Sequence, residues 1–247
     1  STYSVASSAY AGSINDGNFR TLSLYKDGTG ILALTGASTY SGVTKIFEGA
    51  LSIGNNTALG TSVGETIVSS GAAVQVTGGI TSAEAFTVSG TGLSATSGVL
   101  QNLSGDNTLS GAITVTTASR FGSDAGTPTL GGALTATNLE LAFGGAGNVV
   151  VSGAMSLGTA GVTKDGLGTL TLSGTNTYAG ATAVTAGALR IANAAALGTT
   201  SSLVVTAGAA LQIAGGVTYV GVAATTPILQ NISGNNVWSV ALRPTNG

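Results

Sequence analysis

Lys164 to Thr199 reads KDGLGTLTLSGTNTYAGATAVTAGALRIANAAALGT, and Lys26 to Thr61 reads KDGTGILALTGASTYSGVTKIFEGALSIGNNTALGT. The two stretches align over 36 residues without a gap, at a constant offset of 138. Shared positions include Lys26/Lys164, Gly30/Gly168, Leu34/Leu172, Tyr40/Tyr178, Gly42/Gly180, Gly49/Gly187 and Leu51/Leu189. An internal repeat of this kind decides the fold before any local propensity does. The duplication runs further. Gly71 to Val76 returns as Gly208 to Ile213, and Leu100 to Gly105 returns as Leu229 to Gly234. The repeating object is therefore a long block, present over 22–160 and again, shortened, over 161–247. The chain stops inside the second block. It reads as a piece of a longer array, with a natural end as the alternative.

Within the repeat every signal is strand or turn. Thr169 to Leu172 alternates with period two and puts Leu170 and Leu172 on one face. Ser173-Gly174-Thr175-Asn176 turns the chain. Thr182 to Thr185 is a second short strand, and Ala188 to Ile191 a third, with Leu189 and Ile191 inward and Arg190 outward. Ala192 to Leu197 could make one helical turn, but Gly198 follows and no amphipathic period is sustained, so it reads as a loop corner. Leu170 to Leu189 is 19 residues and Leu189 to Leu211 is 22; Leu32 to Leu51 is 19 and Leu51 to Val74 is 23. A recurrence of roughly 20 residues suits one coil of a β-solenoid.

Strands of three to five residues are short for a sandwich, whose turns come every ~8–12 residues. In a solenoid each strand bonds its equivalent one coil away, so short strands suffice. About twelve coils at ~4.8 Å each would make a rod of roughly 60 Å. The expectation is one elongated all-β domain over 1–247, at about 20 residues per coil. Residues 81–160 read as less regular, with strand-like pieces such as Phe86 to Val88, Ala112 to Val115 and Val149 to Val151.

Composition narrows the function classes. The chain has 40 Gly, no Cys, no His, seven basic and nine acidic residues, and a net charge of −2. Positive mean hydropathy with so little charge is not the signature of disorder. The basic residues are scattered from Arg20 to Arg243, which argues against nucleic acid and against a polybasic membrane patch. Gly, Ser and Thr interrupt every apolar run, so no membrane-inserting helix is expected. No signal peptide or initiating Met is visible, and the sequence reads as a mature fragment. One Trp, six Tyr and five Phe leave the core to be filled by small aliphatics.

The spacing Lys-x-Gly-x-Gly, Leu-x-Leu-x-Gly, Thr-Tyr-x-Gly-x-Thr, Val-x-x-Gly-x-Leu falls on Lys164, Gly166, Gly168, Leu170, Leu172, Gly174, Thr177, Tyr178, Gly180, Thr182, Val184, Gly187 and Leu189. The first copy matches at Lys26, Gly28, Gly30, Leu32, Leu34, Gly36, Thr39, Tyr40, Gly42, Thr44, Gly49 and Leu51, and departs at Ile46 where the second has Val184. This closely resembles the autotransporter-associated β-strand repeat, also called the passenger-associated transport repeat. The resemblance covers about a third of the chain directly. It implies a right-handed parallel β-helix in a large secreted protein of a Gram-negative-type cell surface, and it carries no catalytic residues. The C-terminal membrane barrel usual in such proteins is not in this sequence, which leaves the export route open.

Many β-helix proteins cut polysaccharides, and that needs paired carboxylates. Asp16, Asp27, Glu48, Glu65, Glu84, Asp106, Asp124, Glu140 and Asp165 form no tight sequence cluster. Asp27 and Asp165 precede Gly at equivalent turns and read as turn formers. No Cys or His is present to activate a nucleophile. Gly144 to Val150 weakly resembles a calcium-binding glycine-rich nonapeptide, but it occurs once and has Asn148 where the ligand Asp belongs. Tyr40 and Tyr178 read as corner aromatics, and Trp238 as core packing or an end contact. Sequons at Asn55, Asn102 and Asn231 are what a chain rich in Asn, Ser and Thr produces by chance.

The reading is a non-catalytic extracellular structural repeat protein: a rod or filament-forming segment at the bacterial cell surface, with no cofactor and no metal. Its expected partner is itself, through end-to-end stacking of open coils. Surface glycans are the second expected partner class, through an adhesin role in which Thr, Ser and Asn ladders meet glycans or host surfaces. A polysaccharide lyase or hydrolase is the remaining alternative. The residues expected to carry the architecture are Gly30, Leu32, Leu34, Tyr40, Gly42, Gly49, Leu51, Gly168, Leu170, Leu172, Tyr178, Gly180, Gly187 and Leu189.

Overall fold

The computed structural model describes residues 7–18, 20–225 and 228–243. Among them every regular element is a strand of two to five residues, and there is no helix. The strands stack into a 12-stranded sheet running the length of the molecule, an 8-stranded sheet and a 7-stranded sheet, with a 2-stranded sheet beside them. Neighbours within each sheet are parallel and come from successive coils. This is a β-solenoid: twelve strands on the long face mark eleven turns of the chain.

The registers carry the sequence reading through. Leu32 faces Leu51 and Leu51 faces Val74. Leu170 faces Leu189 and Leu189 faces Leu211, and all three are fully buried. Inward columns continue from coil to coil. On the long face one column runs Leu51, Val74, Leu100, Phe121, Phe143, Lys164, Val184, Val205. Phe121 and Phe143 stack with ring centroids 5.2 Å apart. Thin layers of Val, Leu and Ile fill the rest, so one apolar core extends along the axis.

The middle of the chain corrects an expectation. Residues that read as irregular form the most complete coils, with a strand on each of three faces. Phe86, Ile113, Leu134 and Met155 follow one another in register on the 7-stranded sheet, and Leu109, Leu130, Val151 and Leu172 on the 8-stranded one. These segments lack the glycine-punctuated motif that makes the repeat visible. Their inward side chains suffice, because each strand buries at least every second side chain against a coil on either side.

The two repeat copies do not occupy the same face. Leu24–Lys26 lies on the 7-stranded sheet and Ile31–Leu34 on the long sheet. Their counterparts, Val162–Lys164 and Thr169–Leu172, lie on the long sheet and the 8-stranded sheet. From Leu24–Lys26 the 7-stranded sheet makes six steps before the chain reaches Val162–Lys164 on the next face. The 138-residue offset is thus six turns and one face, and the motif is carried a third of the way round the axis.

Candidate functional site

The repeat motif, rather than a catalytic cluster, is where the described residues converge. Lys164 projects into the interior column between Phe143 and Val184 and is 2% exposed. Its Nζ donates to the carbonyls of Asp165 and Gly166 in its own corner and to that of Ala186 one coil on. Lys26 repeats this with Asp27, Gly28 and Glu48. Each lysine thus ties two successive corners by charge-assisted bonds. Burial lowers the Lys164 ammonium to about 8, so it remains charged at neutral pH.

Tyr40 and Tyr178 are fully buried. Their hydroxyls share hydrogen bonds with Thr44 at 2.6 Å and Thr182 at 3.0 Å, side chains that also point inward. Burial raises the Tyr40 hydroxyl to about 12 and pushes that of Tyr178 up as well. They are therefore interior anchors of a loop, and neither offers a ring face to solvent. Gly49 and Gly187 turn the corner into the next strand at φ +64° and +65°. A Cβ at either would fall on the carbonyl of the preceding coil's Gly30 or Gly168. Gly42 and Gly180 likewise abut backbone of the coil before them. Leu34, Leu51, Leu170, Leu172 and Leu189 are buried, and Leu32 is half-buried.

The acids are dispersed, and among the described residues no three could hold a metal ion together. Asp27 behaves as a turn former, its Oδ1 accepting from the Gly28 amide at 2.9 Å. Asp165 does more than turn the chain. Its carboxylate takes the guanidinium of Arg120, two coils earlier, through both oxygens. Gly144 lies between them, and a side chain there would collide with both partners. No local pattern marks this pair, because 45 residues separate its members. Asn148 accepts from the Thr169 amide and donates to Thr127, so it links neighbouring coils. Asn102 is buried, and its amide is committed to the carbonyls of Gly105 and Ala125. Trp238 stacks on Tyr219 with centroids 4.5 Å apart.

One acid stands apart. Glu84 is only 4% exposed. Its side chain has a hydrogen bond from Thr66 Oγ1 at 2.8 Å, and burial raises its carboxyl to about 7. It borders a half-open cavity of about 360 Å³ walled by Ser38, Thr39, Asn56, Thr57, Leu59 and Ser82 among others. Nothing in the local sequence marks Glu84. Its burial follows from the coil that places it beneath two loops.

The family model described as Passenger-associated-transport-repeat matches residues 24–53 and 162–191. These two segments contain the cages of Lys26 and Lys164, the buried Tyr40 and Tyr178, and the positive-φ corners at Gly49 and Gly187. No curated protein and no solved structure matches the chain.

Proposed function

We propose that this chain is a non-catalytic rod segment from the passenger part of a secreted, autotransporter-like protein, working at a bacterial cell surface. The observation that carries this reading is that both passenger-associated repeats are built, in register, into one uninterrupted stack of parallel strands. The strand pairing of each coil is with its immediate neighbours. Such a stack can extend without a closing surface, and its stability grows roughly with coil number. That suits a spacer, a coat or a filament.

The ends support self-association as part of the same reading. Ser7–Tyr10 has a strand partner on one side only among the described residues, and all four of its residues are exposed. At the other end the last four residues of Leu229–Ser233 are exposed, as are Val237 and Leu242. Unpaired parallel edges with apolar side chains favour a further coil or a second copy.

The test is to replace the rod segment of an autotransporter passenger with this chain and to follow surface display by protease shaving of intact cells. Folded, shaving-sensitive rods outside the cell are expected. Periplasmic retention would refute the assignment. Negative-stain images of concentrated purified chain should show end-to-end strings, and dispersed short rods alone would remove the self-association part.

A further inference from the structure

The two blocks can be compared as one scaffold with two fillings. Gly78-Gly79-Ile80-Thr81-Ser82 aligns with Gly215-Gly216-Val217-Thr218-Tyr219. The structures around them agree in detail. Asn107 Oδ1 accepts from the Ile80 amide, and Asn236 Oδ1 accepts from the Val217 amide. Both asparagines donate to the equivalent pair Asn102 and Asn231. Ser82 and Tyr219 are therefore the same position in the two blocks.

In the second block Tyr219 fills the space next to Tyr178 and is 2% exposed. Its hydroxyl takes a hydrogen bond from the backbone at Val222. In the first block that ring is gone. The two blocks slip by one residue after Ser82 and Tyr219, so Glu84, counted back from Phe86 and its register equivalent Ala224, stands opposite Val222, and Thr66 occupies the register position that Leu203 holds beside Thr182. Phe86 stands where the second block has Ala224, yet its ring is not part of the cavity wall. The first block thus has a hollow lined in part by Ser, Thr and Asn where the second block has the Tyr219 ring.

We propose that this hollow, between the loops 38–39 and 56–62 and the segment Ser82–Glu84, binds a neutral polyhydroxyl ligand of about one sugar residue. The cavity, about 360 Å³, lies in the range of small-molecule sites. Apart from Glu84 its wall is uncharged, with the hydrogen-bonding groups of Ser38, Thr39, Asn56, Thr57, Ser62 and Ser82 set among apolar surface. Two polar groups are left short of partners. The Thr61 hydroxyl oxygen is buried and makes no hydrogen bond, and the Glu84 carboxyl has only Thr66. Buried polar atoms of this kind normally have partners. Hydroxyl groups of a sugar supply both donors and acceptors. A cation is the poorer match, because one acid faces many neutral groups and the neighbouring Glu65 lies outside the wall. Leu59 and Ala83 supply apolar contact for ring carbons.

The experiment is an amide-resonance titration of the whole chain with methyl glucoside, methyl galactoside and N-acetylglucosamine, with methylammonium and glycerol run in parallel. At least one sugar should give saturable shifts confined to the cavity loops. Ser82→Tyr, which restores the ring of the second block, should abolish them. Glu84→Gln should weaken binding by about tenfold or more, the worth of one charge-assisted hydrogen bond. Absence of saturable shifts with every sugar would overturn the proposal, as would a Ser82→Tyr variant that binds like the parent. Methylammonium or glycerol binding as tightly as the sugars would also overturn it. Should Ser82→Tyr fail to fold, Glu84→Gln decides: unchanged affinity refutes the site. The rod reading stands whichever way this falls, because it rests on the stack and not on the cavity.

Discussion

Lys164 is the least expected residue of the interior, and its environment explains why the motif needs it. The column on either side is apolar, so its ammonium would be intolerable there without acceptors. Three carbonyls from two successive corners provide them. Lys164→Met keeps much of the volume and removes the donors. The expected loss is about 2 kcal/mol, with a smaller or equal loss for Lys26→Met, read as a shift in the urea midpoint at unchanged slope. No shift would mean that the cage contributes nothing. Glu84 gives a pH signature of the opposite kind. Its folded value, about 7, lies above the ordinary 4.5, so the folded chain holds the proton longer than the unfolded chain. The groups that act on it are Thr66, Glu65 and Tyr40. Its stabilising contribution is complete below about 4.5 and is lost as pH rises to about 7, by at most about 3 kcal/mol. Unfolding midpoints measured across that window should fall with pH in the parent and flatten in Glu84→Gln; parallel curves would show that the carboxyl titrates normally.

Corners decide the elements, and glycines at corners separate two physical effects. Gly187 has φ +65°, and a Cβ there meets the carbonyls of Gly168 and Gly166. Gly71 has φ +85° and open space where its Cβ would be. Gly71→Ala should therefore cost only the left-handed backbone penalty, about 1 kcal/mol, while Gly187→Ala adds a backbone collision and should cost about 3 kcal/mol or more. Equal losses in thermal or chemical unfolding would show that the coils are not in the close contact described. These corners also explain what could be read beforehand. The 19- and 22-residue leucine recurrences were visible because Leu170, Leu189 and Leu211 must stack. The regularity of residues 81–160 was not, since Phe86, Ile113, Leu134 and Met155 share only an inward position and no residue type. The Arg120–Asp165 pair and the Glu84 cavity were invisible for a related reason. Each depends on which residues lie one or two coils apart, and that follows only from the register.

At the scale of the molecule the fold is a one-dimensional stack, and this has a consequence that a globular fold would not share. If each coil is held by its two neighbours alone, a whole coil can be removed and the cut ends will re-pair. Leu141 to Gly161 is such a coil, because Leu141 faces Val162 directly. Joining Glu140 to Val162 would set Phe121 against Lys164, in the place Phe143 now holds, and Leu130 against Leu172, in the place of Val151. Most inward positions keep an apolar occupant, and Lys164, which replaces Phe143, brings its own carbonyl acceptors from Asp165, Gly166 and Ala186. The shortened chain should fold, keep its far-ultraviolet circular dichroism per residue, and be shorter by about 4.8 Å in small-angle scattering. Its urea midpoint should drop modestly, as expected when one unit and one interface are subtracted from a sum. Removing Leu141 to Val151 instead takes out about half a turn. Everything after the cut then meets the wrong face, with corner residues against strands, and cooperative unfolding should vanish. Equal folding of the two deletions would mean that the registers do not hold the rod together, and failure of both would mean that its coils are not independent neighbours.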